Sequence, residues 1–128
     1  MNADIVETYR QYLECCNGRR LAGLSEFLQD PVRLNGKSKT LSGYVSALTS
    51  TIEAVPDLRW EIQDLVVGED ALAVRLSVSG TPQRPWLGFE PTGQPVTTEE
   101  YAFYGFREGR IEAVRFLYGV PTPEPGAA

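Results

Sequence analysis

The fold is most directly inferred from VTTEEYAFYGFREGRIEAVRFLYG, residues 96–119. This stretch consists of two runs of roughly ten residues each, rich in β-branched and aromatic side chains, and Glu108-Gly109 separates them. Such a composition is typical of a long antiparallel hairpin closed by a two-residue turn. We therefore predict that residues 96–119 form the central hairpin of a curved antiparallel sheet.

Alternation along each strand assigns the hairpin residues to two faces. In the first run one face carries Thr98, Glu100, Ala102, Tyr104 and Phe106, and the other carries Thr97, Glu99, Tyr101 and Phe103. In the second run Glu112, Val114, Phe116 and Tyr118 oppose Ile111, Ala113, Arg115 and Leu117. Both faces mix apolar and polar side chains, whereas a sheet with one solvated face should be apolar on the other. The pattern predicts a ligand pocket on one face and a subunit contact on the other.

The residues before the hairpin predict helices first and strands afterwards. Apolar side chains recur at helical spacing over residues 4–17, over residues 20–28, and from Leu41 to just before Pro56. A short strand is predicted over residues 31–35, and alternation predicts two longer strands over residues 58–67 and 71–78. The predicted fold class is therefore α+β, with three N-terminal helices packed on a strongly curved antiparallel sheet.

Residues 80–95, GTPQRPWLGFEPTGQP, are rich in proline and glycine, which argues against a central strand. Trp86 and Phe89 nevertheless make this segment more apolar than an ordinary linker. We predict a loop or broken strand beside a cavity, with one of these rings over its opening; the alternative is that the rings only anchor the loop. Residues 1–120 are predicted to form a single domain, and the tail at 121–128, PTPEPGAA, is predicted to be disordered.

Length and charge exclude several classes of protein. The 128 residues suffice for one hydrophobic core. The net charge of −5 argues against a nucleic-acid partner, which requires a basic surface. No apolar run approaches the roughly 18 residues of a membrane span, and the first residues lack the order of a signal peptide. We expect a cytoplasmic protein with no membrane contact.

The chain contains no histidine, which excludes Ser-His and Cys-His triads and histidine-based zinc sites. Its two cysteines, Cys15 and Cys16, are adjacent in a predicted helix, and we expect both to be reduced thiols. The sequence therefore predicts no metal site, and it shows no cofactor motif.

Several segments resemble the SnoaL-like polyketide cyclase and ketosteroid isomerase superfamily, which has the nuclear-transport-factor-like fold. The ending GRIEAVRFLYG is similar to the last strand of these proteins, and VPDLRW, SGTP and PTGQPVTTEE follow in a similar order and spacing. The resemblance covers nearly the whole chain up to Gly119. It implies a cone in which the sheet wraps around the helices and holds an apolar ligand at its open end.

The resemblance transfers to individual residues only in part. Tyr12 looks like the helix-one tyrosine that donates a hydrogen bond to the substrate oxygen in ketosteroid isomerases. The region of their catalytic aspartate carries Asn35 and Gly36 here, and their second acidic position falls near Ala102. SnoaL-like cyclases usually have a histidine where this chain has Pro82 and Gln83, and an aspartate where it has Tyr118 and Gly119. The usual catalytic histidine and aspartate are thus absent.

The remaining polar residues supply the candidates for catalysis. Glu100 is the best acid or base if it points into the cone; the alternative is a charge at the rim or an ion pair with an arginine. Asn35 is a candidate to orient a carbonyl or enol oxygen, unless it only caps a turn. Tyr12 and Tyr118 are candidate phenolic donors, although buried tyrosines are also ordinary core residues. The predicted substrate-binding residues are Tyr104, Trp86, Gln83, Phe116, Val114, Trp60 and Arg115.

Arg115 alternates with Val114 and Phe116. It faces outward if the last strand keeps the register of ketosteroid isomerases, and inward if a one-residue bulge intervenes.

The functional hypothesis is a cofactor-free cyclase or isomerase that acts on a polyketide- or terpenoid-like small molecule by acid/base catalysis. One alternative is a non-catalytic module that binds a small molecule in the same pocket. A second is an epoxide-opening hydrolase or cyclase, which would need two carboxylates in the pocket. A third is a structural dimerisation domain whose cone is filled by Trp60, Trp86 and Phe103. We also expect a homodimer formed through the outer face of the sheet.

Overall fold

The computed structural model describes residues 2–124 and confirms the α+β fold. Two α-helices, α1 (Asn2–Asn17) and α2 (Leu41–Ala54), are joined by a 3-10 helix (Leu21–Glu26) and two strands, β1 (Leu28–Leu34) and β2 (Lys37–Lys39). Five strands follow: β3 (Arg59–Val67), β4 (Ala71–Gly80), β5 (Val96–Arg107), β6 (Arg110–Tyr118) and β7 (Thr122–Pro123).

The strands form one sheet in the order β2-β1-β6-β5-β4-β3, and β7 pairs with the start of β5. All neighbouring strands pair in an antiparallel manner except β1 and β6, which are parallel to each other. The hairpin of β5 and β6 is therefore central, as predicted. Its two-residue turn, Glu108-Gly109, has φ angles of 54° and 78°, the left-handed geometry that a type I′ turn requires.

Both α-helices pack on the inner face of the curved sheet. The predicted stripe of α1 is buried, and the Tyr9 ring lies 4.6 Å from that of Tyr104 on β5. Helix α2 begins where the Thr40 hydroxyl accepts a hydrogen bond from the Gly43 N–H, and it ends before Pro56. The second predicted helix is shorter than expected and of the 3-10 type, because Leu28 is already part of β1, where it pairs with Ile111.

A bulge in β6 changes one predicted face. Gly105 pairs with Ala113 but Phe106 pairs with Ile111, so Glu112 is an extra residue opposite the register shift. Ile111 and Val114 are consequently both buried, although strict alternation assigned them to opposite faces. The predicted faces of β5 are correct along its whole length.

The C-terminal segment makes backbone contacts with the sheet beyond residue 120. Pro121 is buried, β7 pairs with Val96 and Thr97, and the Glu124 N–H donates to the Pro95 carbonyl at 3.1 Å. Backbone pairing to the start of β5 thus holds residues that composition alone assigned to a disordered tail. Residues 125–128 of that predicted tail lie outside the described residues.

Candidate active site

A cavity of about 310 Å³ lies between the two α-helices and the concave face of the sheet. Its wall is mostly aliphatic and aromatic. It is formed by Tyr12, Leu13, Cys16, Leu34, Tyr44, Ala47, Leu48, Thr51, Trp60, Leu76, Trp86, Leu87, Glu100, Tyr104, Val114, Phe116 and Tyr118. The volume falls at the lower end of the range for small-molecule sites.

Glu100 lines this cavity and is only 5% exposed. It stands in the middle of β5, opposite Leu76 of β4 and Tyr118 of β6, so its side chain must point to the inner face. Burial raises the pKa of this carboxyl from 4.5 to about 7, and hydrogen bonds from Tyr118 and Trp60 oppose the rise. Near neutral pH the carboxyl is therefore available in both protonation states, which suits a general acid or base.

Two phenols meet at another part of the wall. The hydroxyl oxygens of Tyr12 and Tyr44 lie 2.6 Å apart and share one hydrogen bond. Burial raises the pKa of both tyrosines, so both stay protonated at neutral pH. The two tyrosines carry two O–H groups, and the hydrogen bond between them uses only one. The other O–H can donate to a ligand oxygen or to the weakly accepting sulfur of Cys16, which lies beside Tyr12.

Residues at and just after the C-terminal end of α1 form hydrogen bonds to the backbone at Trp60 and to the residues that precede it. The Asn17 side chain accepts a hydrogen bond from the Trp60 N–H and donates one to its carbonyl oxygen, each at 2.9 Å. The Arg19 guanidinium donates to the carbonyls of Pro56 and Leu58 at 2.8 and 2.7 Å. These contacts fix the backbone from which the Trp60 indole reaches the Glu100 carboxyl.

The loop between β4 and β5 places Trp86 against the cavity. Trp86 and Phe89 exchange two backbone hydrogen bonds of 3.0 and 2.8 Å around Leu87 and Gly88, whose φ angles are 51° and 79°. This is a preformed tight turn. The Trp86 ring is buried and packs edge-to-face on Tyr118 at 6.1 Å. Trp86 is thus part of the cavity wall and is also anchored on Tyr118.

The structure brings most of the predicted site residues together in this cavity. Of the predicted catalytic residues, Glu100, Tyr12 and Tyr118 line it. Of the predicted substrate-binding residues, Tyr104, Trp86, Phe116, Val114 and Trp60 line it. These positions do not establish a role, and each assignment remains a proposal.

Three predicted residues lie elsewhere. Asn35 has a φ of 50° and its side chain accepts a hydrogen bond from the Phe116 N–H at 2.9 Å, so it caps the turn after β1. The backbone N–H of Gln83 donates to the Ala54 carbonyl at 2.7 Å, which holds its side chain at the exposed start of the loop. Arg115 is exposed on the outer face, between Val114 and Phe116, which line the cavity. The bulge at Glu112 does not turn Arg115 inward, so the prediction that a one-residue bulge would do so is wrong.

Sequence reasoning missed the contribution of α2. Tyr44, Ala47, Leu48 and Thr51 all line the cavity, and they recur at the spacing of one helix face. That periodicity was a sufficient signal that these residues share a face. It did not distinguish a face that fills the core from one that borders a cavity.

The family model of SnoaL-like polyketide cyclase matches residues 6–120. This chain belongs to the SnoaL-like polyketide cyclase family. A SnoaL-like polyketide cyclase from Agrobacterium tumefaciens is 31% identical in sequence, with a TM-score of 0.86 over 90% of this chain and 91% of that one.

More distant solved structures share the fold of this SnoaL-like chain. IdmH from Streptomyces antibioticus is 22% identical, with a TM-score of 0.79 over 89% of this chain and 91% of that one. TsrD from Streptomyces laurentii is 20% identical, with a TM-score of 0.81 over 92% and 90% of the two chains. No curated protein matches the sequence.

Two further observations apply to the described part of this SnoaL-like chain. Within residues 2–124 no helix is long and apolar enough to cross a membrane. Over the same residues, no three His, Cys, Asp or Glu side chains are grouped so that they could hold a metal ion.

Proposed function

We propose that the protein is a cofactor-free cyclase or isomerase that acts on an apolar polyketide- or terpenoid-like small molecule in the cavity. The observation that carries this proposal is the position of Glu100, a buried carboxyl with a pKa of about 7 that faces an apolar cavity also lined by two hydrogen-bonded phenols. Membership of the SnoaL-like polyketide cyclase family supports it.

In the proposed reaction the Glu100 carboxylate removes a proton from a carbon next to a substrate carbonyl. The electron pair of the broken C–H bond moves into the carbonyl, and an enolate forms. One of the two phenols, Tyr12 or Tyr44, has an O–H that their mutual hydrogen bond does not use, and this O–H donates a hydrogen bond to the enolate oxygen and keeps its proton. A donor aimed at developing negative charge in a site of low polarity is typically the largest single contribution to such catalysis.

The enolate carbon then has two possible fates. In a cyclisation it attacks a second carbonyl of the same molecule, a carbon–carbon bond forms, and protonated Glu100 returns its proton to the new alkoxide. In an isomerisation the same proton returns to another carbon of the conjugated system. Either reaction leaves Glu100 in its starting state and requires only one carboxyl group.

The proposal can be tested by proton exchange on neutral bicyclic aryl ketones such as α-tetralone. We expect the protein to accelerate loss of the α C–H signal in D₂O, as followed by NMR. Glu100→Gln should lower the exchange rate about 100-fold or more, the usual contribution of a positioned acid or base. Glu61→Gln, an exposed carboxylate next to Trp60 on β3, is the matched control and should not change the rate.

Equal exchange rates in the wild type and Glu100→Gln would overturn the proposal. Binding of the ketones without any exchange would favour the non-catalytic module instead. The epoxide-opening alternative is weaker, because Glu100 is the only carboxylate among the lining residues of the described chain. The alternative of a filled cone requires Phe103 inside, yet it lies on the outer face and is 63% exposed.

We further propose that the outer sheet face pairs with a second copy of the chain. This face carries a row of large apolar side chains whose exposed fractions are high: Val66 at 69%, Tyr101 at 50%, Phe103 at 63% and Leu117 at 72%. Contiguous exposed apolar surface of this kind typically marks an interface. Phe103→Asp should convert a dimer to a monomer in analytical ultracentrifugation, and an unchanged mass would contradict the proposal. A cytoplasmic location remains a prediction from the sequence.

A further inference from the structure

The cavity wall carries one acidic side chain, several aromatic rings and no basic side chain among the described residues. Glu100 is the only side chain on the wall that carries a full charge near neutral pH, and its two hydrogen-bond partners, Tyr118 and Trp60, are neutral donors. No lysine or arginine is among the lining residues, all of which belong to the described part of the chain. An ionised Glu100 therefore lacks a counterion on the cavity wall.

Aromatic rings surround this carboxyl on several sides. Seven of the lining residues are aromatic: Tyr12, Tyr44, Trp60, Trp86, Tyr104, Phe116 and Tyr118. The faces of such rings attract cations, and desolvation strengthens the attraction. Arg19 lies 6.0 Å from the Trp60 ring, but it is held by backbone carbonyls and is not part of the wall.

We propose that the cavity binds organic ammonium ions, molecules with a protonated amine on an aromatic or apolar body, in preference to neutral or anionic molecules of the same shape. The ammonium group would pair with the Glu100 carboxylate and supply the counterion that the wall lacks. The aromatic body would occupy the rest of the cavity. An anion would meet a buried carboxylate with no cation to compensate it, which is costly in an apolar site.

The proposal concerns binding in the same cavity as the proposed function, but it does not depend on turnover. It adds a substrate class, since it predicts a basic nitrogen on the preferred ligand. A failure of ketone exchange would leave it intact. Conversely, if ammonium ions do not bind, the proposed proton transfer is still tested independently by the exchange experiment.

The pH dependence follows from the groups that face Glu100. These are Tyr118 on β6, Tyr104 on β5, Tyr44 on α2 and Cys16 on α1. Burial raises the pKa of each of the three tyrosines and raises the pKa of the Cys16 thiol to about 12, so none of them ionises between pH 6 and 8. Tyr9 and Tyr12 on α1 are likewise neutral there, because burial also raises their pKa.

Calorimetric titration with three indole probes tests the proposal. Tryptamine, tryptophol and indole-3-acetate have the same ring system and end in a cation, a neutral group and an anion. At pH 8 we expect tryptamine to bind about tenfold more tightly than tryptophol or better, and indole-3-acetate to bind least. Between pH 8 and pH 6 tryptamine affinity should fall about tenfold, because Glu100 must then lose a proton, while tryptophol affinity should not.

Glu100→Gln should abolish the preference for tryptamine, and Glu61→Gln should retain it. Unchanged tryptophol binding shows that the cavity of the Gln variant is intact. Three results would overturn the proposal: tryptophol binding as tightly as tryptamine to the wild type at pH 8, a preference that persists in the folded Gln variant, or no binding of any probe. The first and third need no variant, so they hold even if Glu100→Gln fails to fold.

Discussion

Glu100→Gln is expected to stabilise the folded protein at alkaline pH. In the folded state burial raises the pKa of this carboxyl from 4.5 to about 7. The folded protein therefore binds more protons than the unfolded chain between these two values, and the free energy of unfolding falls as pH rises through that window. The pKa difference between the folded and unfolded states corresponds to a loss of about 3 kcal/mol in the free energy of unfolding once the pH is above 7.

The neutral glutamine side chain avoids this loss. We expect the variant and the wild type to have similar free energies of unfolding at pH 4, where Glu100 is protonated in both states. At pH 8.5 the variant should be more stable by about 3 kcal/mol, with the gap opening between pH 4.5 and 7. Urea denaturation at half-unit pH intervals measures this, because the other titrating groups are common to both proteins and cancel in the difference.

Glu61→Gln provides the control, since the carboxylate of Glu61 is exposed on the same sheet. Its stability should follow that of the wild type at every pH. If the curves for Glu100→Gln and the wild type run parallel from pH 4 to 8.5, the carboxyl is not desolvated in the folded state. The acid/base role and the ammonium preference would then both lose their physical basis.

Three other perturbations test the scaffold around the cavity. Asn17→Ala removes both hydrogen bonds to the Trp60 backbone and should lower the free energy of unfolding by about 2 kcal/mol in urea denaturation, whereas Gln11→Ala on the exposed side of α1 should have little effect. Replacing both Tyr12 and Tyr44 with Phe removes the paired phenols and should slow ketone exchange about 100-fold; an unchanged rate in this double variant would exclude the pair as oxyanion donor. Gly80→Ala places a Cβ too close to Val55 Cγ1 and should cost about 1–3 kcal/mol, while Gly105→Ala, whose Cβ would meet nothing closer than 3.8 Å, should be tolerated.

The sequence was sufficient to predict the central hairpin and the inward face of β5. Strand alternation is a local property, so Glu100 and Tyr104 could be assigned to one face without knowledge of the rest of the fold. The turn at Glu108-Gly109 was predictable for the same reason, since only a few residue types accept two successive positive φ angles. The resemblance to the family then indicated which face of the hairpin borders the cavity.

Features that depend on distant contacts were not predictable. The bulge at Glu112 follows from the register in which β5 pairs with β6, and no local sequence pattern in β6 indicates it. An asparagine at position 35 is suited both to capping a turn and to donating to an oxyanion. Only the hydrogen bond that its side chain accepts from the Phe116 N–H distinguishes the two roles. The meeting of Tyr12 with Tyr44 joins two helices that are far apart in the chain, so neither helix pattern could reveal it.

Adjacent glutamates on β5 support the proposed acid/base role of Glu100. Glu99 points outward, where it accepts hydrogen bonds from Tyr101 and from Arg75, and these hold its pKa below the usual range. Glu100, one residue later, faces the apolar cavity and its pKa is raised. A carboxyl kept for stability would have the surroundings of Glu99, because an acid without a counterion weakens the fold at neutral pH. Environments that separate the pKa values of neighbouring carboxyls are characteristic of acid/base sites. Here the carboxyl with the raised pKa, which destabilises the fold when it ionises, is the one that faces the cavity.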